Sequence, residues 1–303
     1  MDPLSDLLSL LKPTSYVSGG VALANSMAVQ WPQHAGIKCY AVVAGHCWLS
    51  VSGIAEPLLL LPGDCYLLPP GPAFILTTDL TLPAVDFTLL RAEGKVGKNV
   101  IKSGEESCFL VGGHFFLSGD HADMLLGSLP PIVHIRKESD KAAMRWSLER
   151  LADEVRDPQP GSSLITQQLA YMMLIQALRL HMAGTVGIGW LFVLADRQLS
   201  AALTCIHDEP GYGWTLEKLA ARIGMSRSAF AARFKAISGT SPIEYLTRWR
   251  MLLACDRLQN SSDSITVIAS RLGYESESAF GKAFKRVIGC SPRQHSKQGP
   301  QRP

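Results

Sequence analysis

The apolar positions of this chain change their period along its length. From about Ser18 to Ile135, short apolar runs alternate with glycine, proline and aspartate turns: CYAVVAG, CWLSVSG, PLLLLPGDCYLLPPGPAFIL. Runs of this length, bounded by turn residues, predict strands. Many short strands in succession predict a β-barrel or jelly roll. From Asp140 to Met182 the period lengthens. Ala142, Trp146, Leu148, Leu151 and Val155 recur at helical spacing, and Pro158 to Ser163 interrupts them. The run ITQQLAYMMLIQALRLHM then predicts a second helix, whose apolar face must be buried against something. The first 12 residues predict a short amphipathic helix. GTVGIG, Gly184 to Gly189, holds three glycines in six residues and reads as a linker.

The last third of the chain contains an internal repeat. LAARIGMSRSAFAARFKAISGTSP, Leu219 to Pro242, is echoed by IASRLGYESESAFGKAFKRVIGCSP, Ile268 to Pro292. Ala220, Arg222 and Gly224 match Ala269, Arg271 and Gly273. The second turn is one residue longer, after which Phe230, Phe234, Lys235, Gly239 and Pro242 match Phe280, Phe284, Lys285, Gly289 and Pro292. Each copy predicts helix, tight turn, helix. Gly224 and Gly273 stand where a helix stops, Ser226 and Ser276 are suitable N-caps, and each phenylalanine pair forms one core-facing stripe.

On these residues the stretch from about Trp214 to Ser296 resembles the DNA-binding domain of AraC/XylS transcription regulators. TVIASRLGYESESAFGKAFKRVIGCSPRQHS matches that family's signature closely. The resemblance implies two helix-turn-helix units joined by one long helix, here Pro242 to about Gln259. Eighteen residues span about 27 Å, suited to two recognition helices roughly 34 Å apart along one face of a duplex. It implies double-stranded DNA and RNA polymerase as partners, and a homodimer built by the predicted helical pair.

The string GDCYLLPPGPAF, Gly63 to Phe74, resembles the second motif of the cupin fold, which AraC-type regulators often carry at the N-terminus. A metal-binding cupin places histidine where Phe74 stands and uses a His-x-His pair. This sequence has neither, and its eight histidines are scattered. The expectation is therefore no enzyme, no catalytic residue, no metal and no other cofactor. The fold class that follows is α+β multidomain: a cupin-like sensor over 1–138, a helical dimerisation segment over 139–183, a linker over 184–194, and a DNA-binding domain over 195–303 with a disordered tail from about 297.

Charge and cysteine content sharpen this reading. The net charge of +3 conceals an asymmetry. From Asp208 onward 15 Lys+Arg stand against 8 Asp+Glu, a net of +7; the rest of the chain carries 14 against 18, a net of −4. A basic C-terminal domain on an acidic partner fits polyanion binding by that domain alone. Seven cysteines without a CxxC pair argue against a disulfide framework or a zinc site. The N-terminus lacks the basic start of a signal peptide, and no apolar run approaches a membrane span, so the expected location is cytoplasmic.

Specific side chains can be assigned to these tasks. In the first recognition helix Arg227, Ser228, Ala231 and Ala232 face outward; in the second, Glu277, Ser278, Gly281 and Lys282 do so. Long polar side chains can read base edges, whereas alanine offers only methyl contacts. Arg233, Lys235, Lys285, Arg286 and Arg293 flank the units as phosphate contacts. Arg248 and Arg250 lie on the connecting helix, Arg250 with an internal ion pair as its alternative. An apolar barrel suits a small organic effector, with Tyr40, Trp48, Tyr66 and Phe74 as lining; plain core is the competing reading for each. Cys39, Cys47, Cys65 and Cys108 suggest a second possibility, oxidant sensing, against burial as small hydrophobes.

Overall fold

The structure, a computed structural model, describes residues 2–11, 13–92, 100–101, 106–117, 129–184 and 187–298. They form two compact units, one of Thr14–Phe116 with Leu129–Gly184, the other of Met1–Pro13 with Thr185–Pro303.

The first unit is two facing sheets. One has the order β11-β6-β3-β10-β1-β9 and the other β5-β4-β7-β2-β8. The strands are β1 (Pro13–Ala24), β2 (Ala28–Trp31), β3 (Ile37–Gly45), β4 (Cys47–Val51), β5 (Leu58–Leu60), β6 (Cys65–Leu68), β7 (Phe74–Thr77), β8 (Val85–Asp86), β9 (Val100–Ile101), β10 (Glu106–Leu117) and β11 (Val133–Ile135). Because successive side chains point to opposite faces, the alternation seen in the sequence sorts them into two cores. Val42, Tyr66, Leu68, Leu110, Leu49, Leu76, Trp31 and Phe74 fill the space between the sheets. Their neighbours Ile37, Cys39, Ala41, Cys65 and Leu67 are equally buried on the reverse face of the six-stranded sheet.

That reverse face is covered by a helical hairpin. The helices of the sheet-rich unit are numbered after α1 (Pro3–Leu11), which belongs elsewhere: α2 (Phe87–Ala92), α3 (Glu138–Arg156) and α4 (Ser162–Gly184). α3 and α4 pack on each other; α3 meets β3, and α4 meets β3, β6 and β11. Apolar burial on this scale is the main stabilising contribution, and a polar tie fixes its register. Asp64, in the turn after Gly63 (φ +83°), binds Lys141 Nζ of α3 at 2.8 Å and His134 Nε2 of β11 at 3.0 Å. Burial raises the Asp64 pKa, but the Lys141 ammonium, the Leu61 amide and His134 outweigh it and hold the carboxyl below its usual range. The hairpin thus serves as a lid on the sheet. Trp146, Leu164 and Ile165 remain exposed on it at 65%, 65% and 39%.

The second unit is helical: α1, then α5 (Trp190–Ala195), α6 (Arg197–Asp208), α7 (Leu216–Arg222), α8 (Arg227–Ser238), α9 (Pro242–Asn260), α10 (Ile265–Arg271), α11 (Glu277–Ile288) and α12 (Pro292–Gln298). Ser226, Ser241, Ser264 and Ser276 cap α8, α9, α10 and α11 through their hydroxyls, and Pro242 opens α9. Gly239 and Gly289 end α8 and α11 in the left-handed conformation.

Three boundaries differ from the sequence reading. Trp190, Leu191, Phe192 and Val193 are buried in α5, which packs on α6 and α8. The glycines of 184–189 drew the linker too long; four consecutive apolar residues inside its range make a helix. α1 packs on α5, α6 and α9 of the helical unit rather than on the sheets. The tail is helical through Gln298 because His295 is buried, against Phe284 at 5.6 Å and Gln259 at 3.1 Å. Residues 299–303 lie outside the described part.

The seat of α1 is a polar chain inside apolar packing. His207 Nδ1 donates to Asp6 Oδ2 at 3.2 Å, and its Nε2 accepts from the Tyr245 hydroxyl at 2.7 Å. The imidazole stacks on Trp249 at 3.8 Å. Burial pushes the His207 pKa down to about 3, so the folded state refuses a proton that the unfolded chain, at about 6.5, accepts. Stability is therefore independent of this group above about pH 6.5 and falls by about 1.4 kcal/mol per pH unit below it. Denaturant titrations followed by helical circular dichroism should show His207→Gln less sensitive than the parent between pH 7 and pH 5. Parallel pH slopes would mean that His207 is charged in the fold.

Candidate nucleic-acid interface and barrel interior

The two recognition helices repeat in structure as in sequence. α7 packs on α8, and α10 packs on α11. Phe230 and Phe234 are fully buried in the first unit, and Phe280 and Phe284 in the second. Their burial rotates the other faces outward. Arg227, Ser228, Ala232, Arg233 and Lys235 are exposed on α8, with Ala231 half-buried; Ser278, Lys282, Lys285 and Arg286 are exposed on α11, with Glu277 and Gly281 half-buried. Gly281 opens onto empty space, so the shallow spot it leaves has no packing cause.

The structure sorts the expected cations. Arg233 binds Asp196 at 2.5 Å and Gln198 at 3.0 Å. Asp196 is the N-cap of α6, so Arg233 braces α8 against α6. Arg227 meets Glu217 at 3.0 Å with both side chains mostly exposed, a pair worth little and easily exchanged for a phosphate. Arg293 reaches Glu277 at 3.4 Å, and Thr266 donates to the other Glu277 oxygen at 2.9 Å. Arg248 pairs with Glu244 one turn away. Arg250 is internal, as its alternative had it, but through carbonyls and not an ion pair: it donates to Pro210 O at 2.6 Å and Tyr212 O at 2.8 Å. Among the described residues no ion pair engages Lys235, Lys282, Lys285 or Arg286.

In the sheet-rich unit, Tyr40, Tyr66 and Phe74 face the space between the sheets, with Tyr40 beside Tyr66 at 6.1 Å. Phe74 stacks on Trp31 at 5.1 Å. Trp48 departs from the expected lining. Cys47, Leu49 and Val51 point into the core, and Trp48 between them faces away.

The four expected cysteines are buried, and they fall into two pairs on different faces. Cys39 Sγ and Cys65 Sγ stand 3.8 Å apart beneath the helical hairpin. Cys47 and Cys108 lie between the sheets with their thiols hydrogen-bonded. The hydrogen bond from Cys65, then burial, push the Cys39 thiol well above its ordinary pKa; the bond from Cys108, then burial, raise Cys47. Among the described residues no group of three His, Cys, Asp or Glu side chains can hold a metal ion.

Lys38 was not singled out from the sequence. It shares a face of β3 with Tyr40 and Val42 and is 8% exposed. Its Nζ lies 5.6 Å from the Phe74 ring centroid. Directly across the strand pair stands His114, and His34 lies edge-on to both His114 (5.7 Å) and Phe74 (5.8 Å). His34 Nδ1 donates to Gly36 O at 3.3 Å and His114 Nε2 donates to Ala35 O. Burial pushes Lys38 down to about 8 and both histidines down to about 4, with the Lys38 charge adding to the histidine shifts. The signal in the sequence was a lone cation inside an apolar strand, IKCYAVV.

The Cupin family profile matches residues 2–183, and a helix-turn-helix domain profile matches residues 219–298. A putative AraC-like transcription regulator of Streptomyces lividans is 40% identical over 301 residues, 98% of each chain. The HTH-type transcriptional regulator AlkR of Acinetobacter baylyi is 34% identical over 78% of this chain and 80% of its own. The RCS-specific HTH-type transcriptional activator RclR of Escherichia coli is 30% identical over 97% of both. Among solved structures, the DNA-binding domain of AdpA in complex with a target DNA is 31% identical, covering 32% of this chain and 87% of that one, with a TM-score of 0.31. No helix among the described residues is long and apolar enough to cross a membrane. The chain belongs to the AraC-like transcription regulators, with a cupin domain in its N-terminal part and a DNA-binding helix-turn-helix domain in its C-terminal part.

Proposed function

We propose that the sheet-rich unit binds a small organic effector and that its occupancy controls operator binding by the helical unit. The observation that carries this is the interior of the sheet-rich unit. Tyr40, Tyr66 and Lys38 bring polar groups into an otherwise apolar core, a composition that suits a small-molecule site. In the helical unit we assign base reading to Arg227, Ser228 and Lys282, with methyl contacts from Ala231 and Ala232. Phosphate holding falls to Lys235, Lys285, Arg286 and, once released from Glu277, Arg293. Glu277 and Ser278 complete the second reading face beside Gly281. The chain works as a homodimer through the exposed apolar side chains of α3 and α4, and it meets RNA polymerase when bound to DNA.

A second reading has its own support in the two thiol pairs, and one relative is named RCS-specific. Two neighbouring thiols give two electrons and two protons to hypochlorite, which leaves as chloride and water while a disulfide forms. Hypochlorite should then change operator affinity in the parent and not in a variant lacking Cys39, Cys47, Cys65 and Cys108. Equal responses in both proteins would remove this reading.

Residues 185–303 alone should bind the operator more weakly than the full chain, because a dimer holds its second half-site at high effective concentration. Equal affinity of fragment and full chain at one salt concentration would exclude a dimer built by α3 and α4.

Base reading and phosphate holding separate on α11. Lys282→Ala should cost about 1–3 kcal/mol on the cognate operator and much less on one with a changed base pair. Lys285→Ala should weaken both DNAs alike and reduce the salt slope by about one. Titrations at several salt concentrations check this; a uniform loss from Lys282→Ala would rule out its base-reading role.

A further inference from the structure

α6 runs between the connecting helix and the first recognition helix, with a polar contact at each end. At its C-terminal end, His207 Nε2 accepts from the Tyr245 hydroxyl of α9 at 2.7 Å. At its N-terminal end, Asp196 uses both carboxylate oxygens. Oδ1 accepts from the amides of Gln198 and Leu199, at 3.0 Å and 3.1 Å, and caps the helix. Oδ2 binds Arg233 Nη2 of α8 at 2.5 Å, and Arg233 Nη1 donates to Gln198 Oε1 at 3.0 Å. The Asp196 side chain is only 10% exposed, so leaving its charge unpaired would be costly. Asp196 and His207 are eleven residues apart, about 16 Å of helix. The same recognition helix is held at a second point. Gly189 N–H donates to Ile237 O, in the last turn of α8, at 2.7 Å. α5 follows Gly189, packs on α8 and ends at Asp196. The segment from Gly189 to Leu199 thus holds α8 at its C-terminal end and at its middle. The repeat puts Ala283 of α11 where Arg233 stands in α8, and Ala283 packs against the core of the second unit.

We propose that Arg233 is a positioning residue for DNA reading by the first unit: through Asp196 it fixes α8 on α6, and α8 meets the duplex in register only while that brace is closed. Burial of Phe230 and Phe234 decides which face of α8 turns inward, but apolar burial is non-directional. A planar guanidinium on two fixed acceptors adds direction. The first unit needs that direction more than the second. Ala231 and Ala232 can meet a base only by their methyl groups, so the backbone of α8 must itself lie close to the groove floor. The flexible Lys282 of α11 can follow a small displacement of its helix. The proposal rests on α8 being a DNA-reading helix and adds what holds it in place. The competing role for Arg233 is a phosphate contact, for which Asp196 would be a rival acceptor. The two roles give opposite signs when the Asp196 charge is removed.

The test uses the full chain and duplexes that the parent protein selects from a random-sequence pool. Base pairs whose preference disappears in Arg227→Ala or Ser228→Ala mark the half read by α8. Those whose preference disappears in Lys282→Ala mark the half read by α11. Asp196→Asn removes the charge and keeps a side chain that can cap α6. It should weaken binding to the selected duplex by on the order of tenfold. Base changes in the α8 half should then cost much less than in the parent, and those in the α11 half should cost the same. Arg233→Gln should reproduce this pattern, and Arg233→Lys should retain part of the affinity. The double variant should bind no more weakly than either single one, because both remove the same contact. Asp196→Asn should keep the parent's helical circular dichroism at the temperature of the titrations; loss of that signal would make the pair structural and overturn the proposal. If Arg233 holds a phosphate, Asp196→Asn releases it and tightens binding, while Arg233→Gln weakens every duplex alike and lowers the salt slope by about one. Either result overturns the proposal, as does unchanged binding in both variants or a double variant whose loss is the sum of the two. Base pairs that respond to Arg227→Ala or Ser228→Ala but keep their full cost in Asp196→Asn and Arg233→Gln remove the brace and keep α8 as a reading helix. If no base pair responds to Arg227→Ala or Ser228→Ala, α8 does not read DNA, and the proposal falls with that reading.

Discussion

Burial of the six-stranded sheet on both faces is the constraint on which the N-terminal half depends. β3 runs through the middle of that sheet, between β6 and β10. Ile37, Cys39 and Ala41 must fit under the helical hairpin, while Val42 and the rings of Tyr40 and Tyr66 must fit between the sheets. A slip of one residue would exchange the two sets. It would place Lys38 against the apolar faces of α3 and α4. The register is therefore held by incompatible neighbours on two sides, and Asp64 holds the covering hairpin in step through Lys141. This separation of faces also explains why the cysteines pair as they do. Cys39 meets Cys65 on one side of the sheet, and Cys108 meets Cys47 on the other.

In the helical unit the constraint is the sharp turn between paired helices. Gly224 and Gly273 both adopt left-handed backbone, at φ +68° and +78°. The two are not equivalent. Gly224 faces open space, whereas a Cβ at Gly273 would collide with the Gly211 carbonyl oxygen. Arg250 hydrogen-bonds the carbonyls of the same segment, at Pro210 and Tyr212. The turn of the second unit is thus closed against the loop after α6, whereas Gly224 has open space around it, although the sequences of the two turns look interchangeable.

Much of this was legible in the sequence because local rules and tertiary packing agreed. The serine caps, the turn glycines and the phenylalanine pairs each satisfy a local requirement, and the fold uses them for that requirement. Strand alternation sorted Tyr40, Tyr66 and Phe74 inward. Trp48 was misassigned because a run of residue types does not say which of two alternating sets faces the core. α1 and α5 were misassigned for a different reason. An amphipathic or wholly apolar helix announces that it will be buried, but its sequence carries no address. Lys38 was overlooked because a single lysine in a strand reads as an exposed position; only the pairing with His114 and the ring of Phe74 reveals that it is enclosed.

The charge asymmetry that first pointed to DNA also overstates the charge available for it. Arg233 is committed to Asp196 and Gln198, Arg250 to carbonyls, and Arg248 to Glu244. Arg271 is held by Asp263 at 2.6 Å. Each of these arginines satisfies fixed acceptors with a planar, multi-donor head, a task for which lysine is poorly shaped. Lys235, Lys282 and Lys285, by contrast, stand exposed on recognition helices with no ion pair among the described residues. A compact, hydrated ammonium on a flexible stem suits a phosphate whose position the protein does not set. The arginines bound to fixed acceptors are thereby withdrawn from DNA, and the recognition-helix cations left without an ion pair among the described residues are Lys235, Lys282, Lys285 and Arg286.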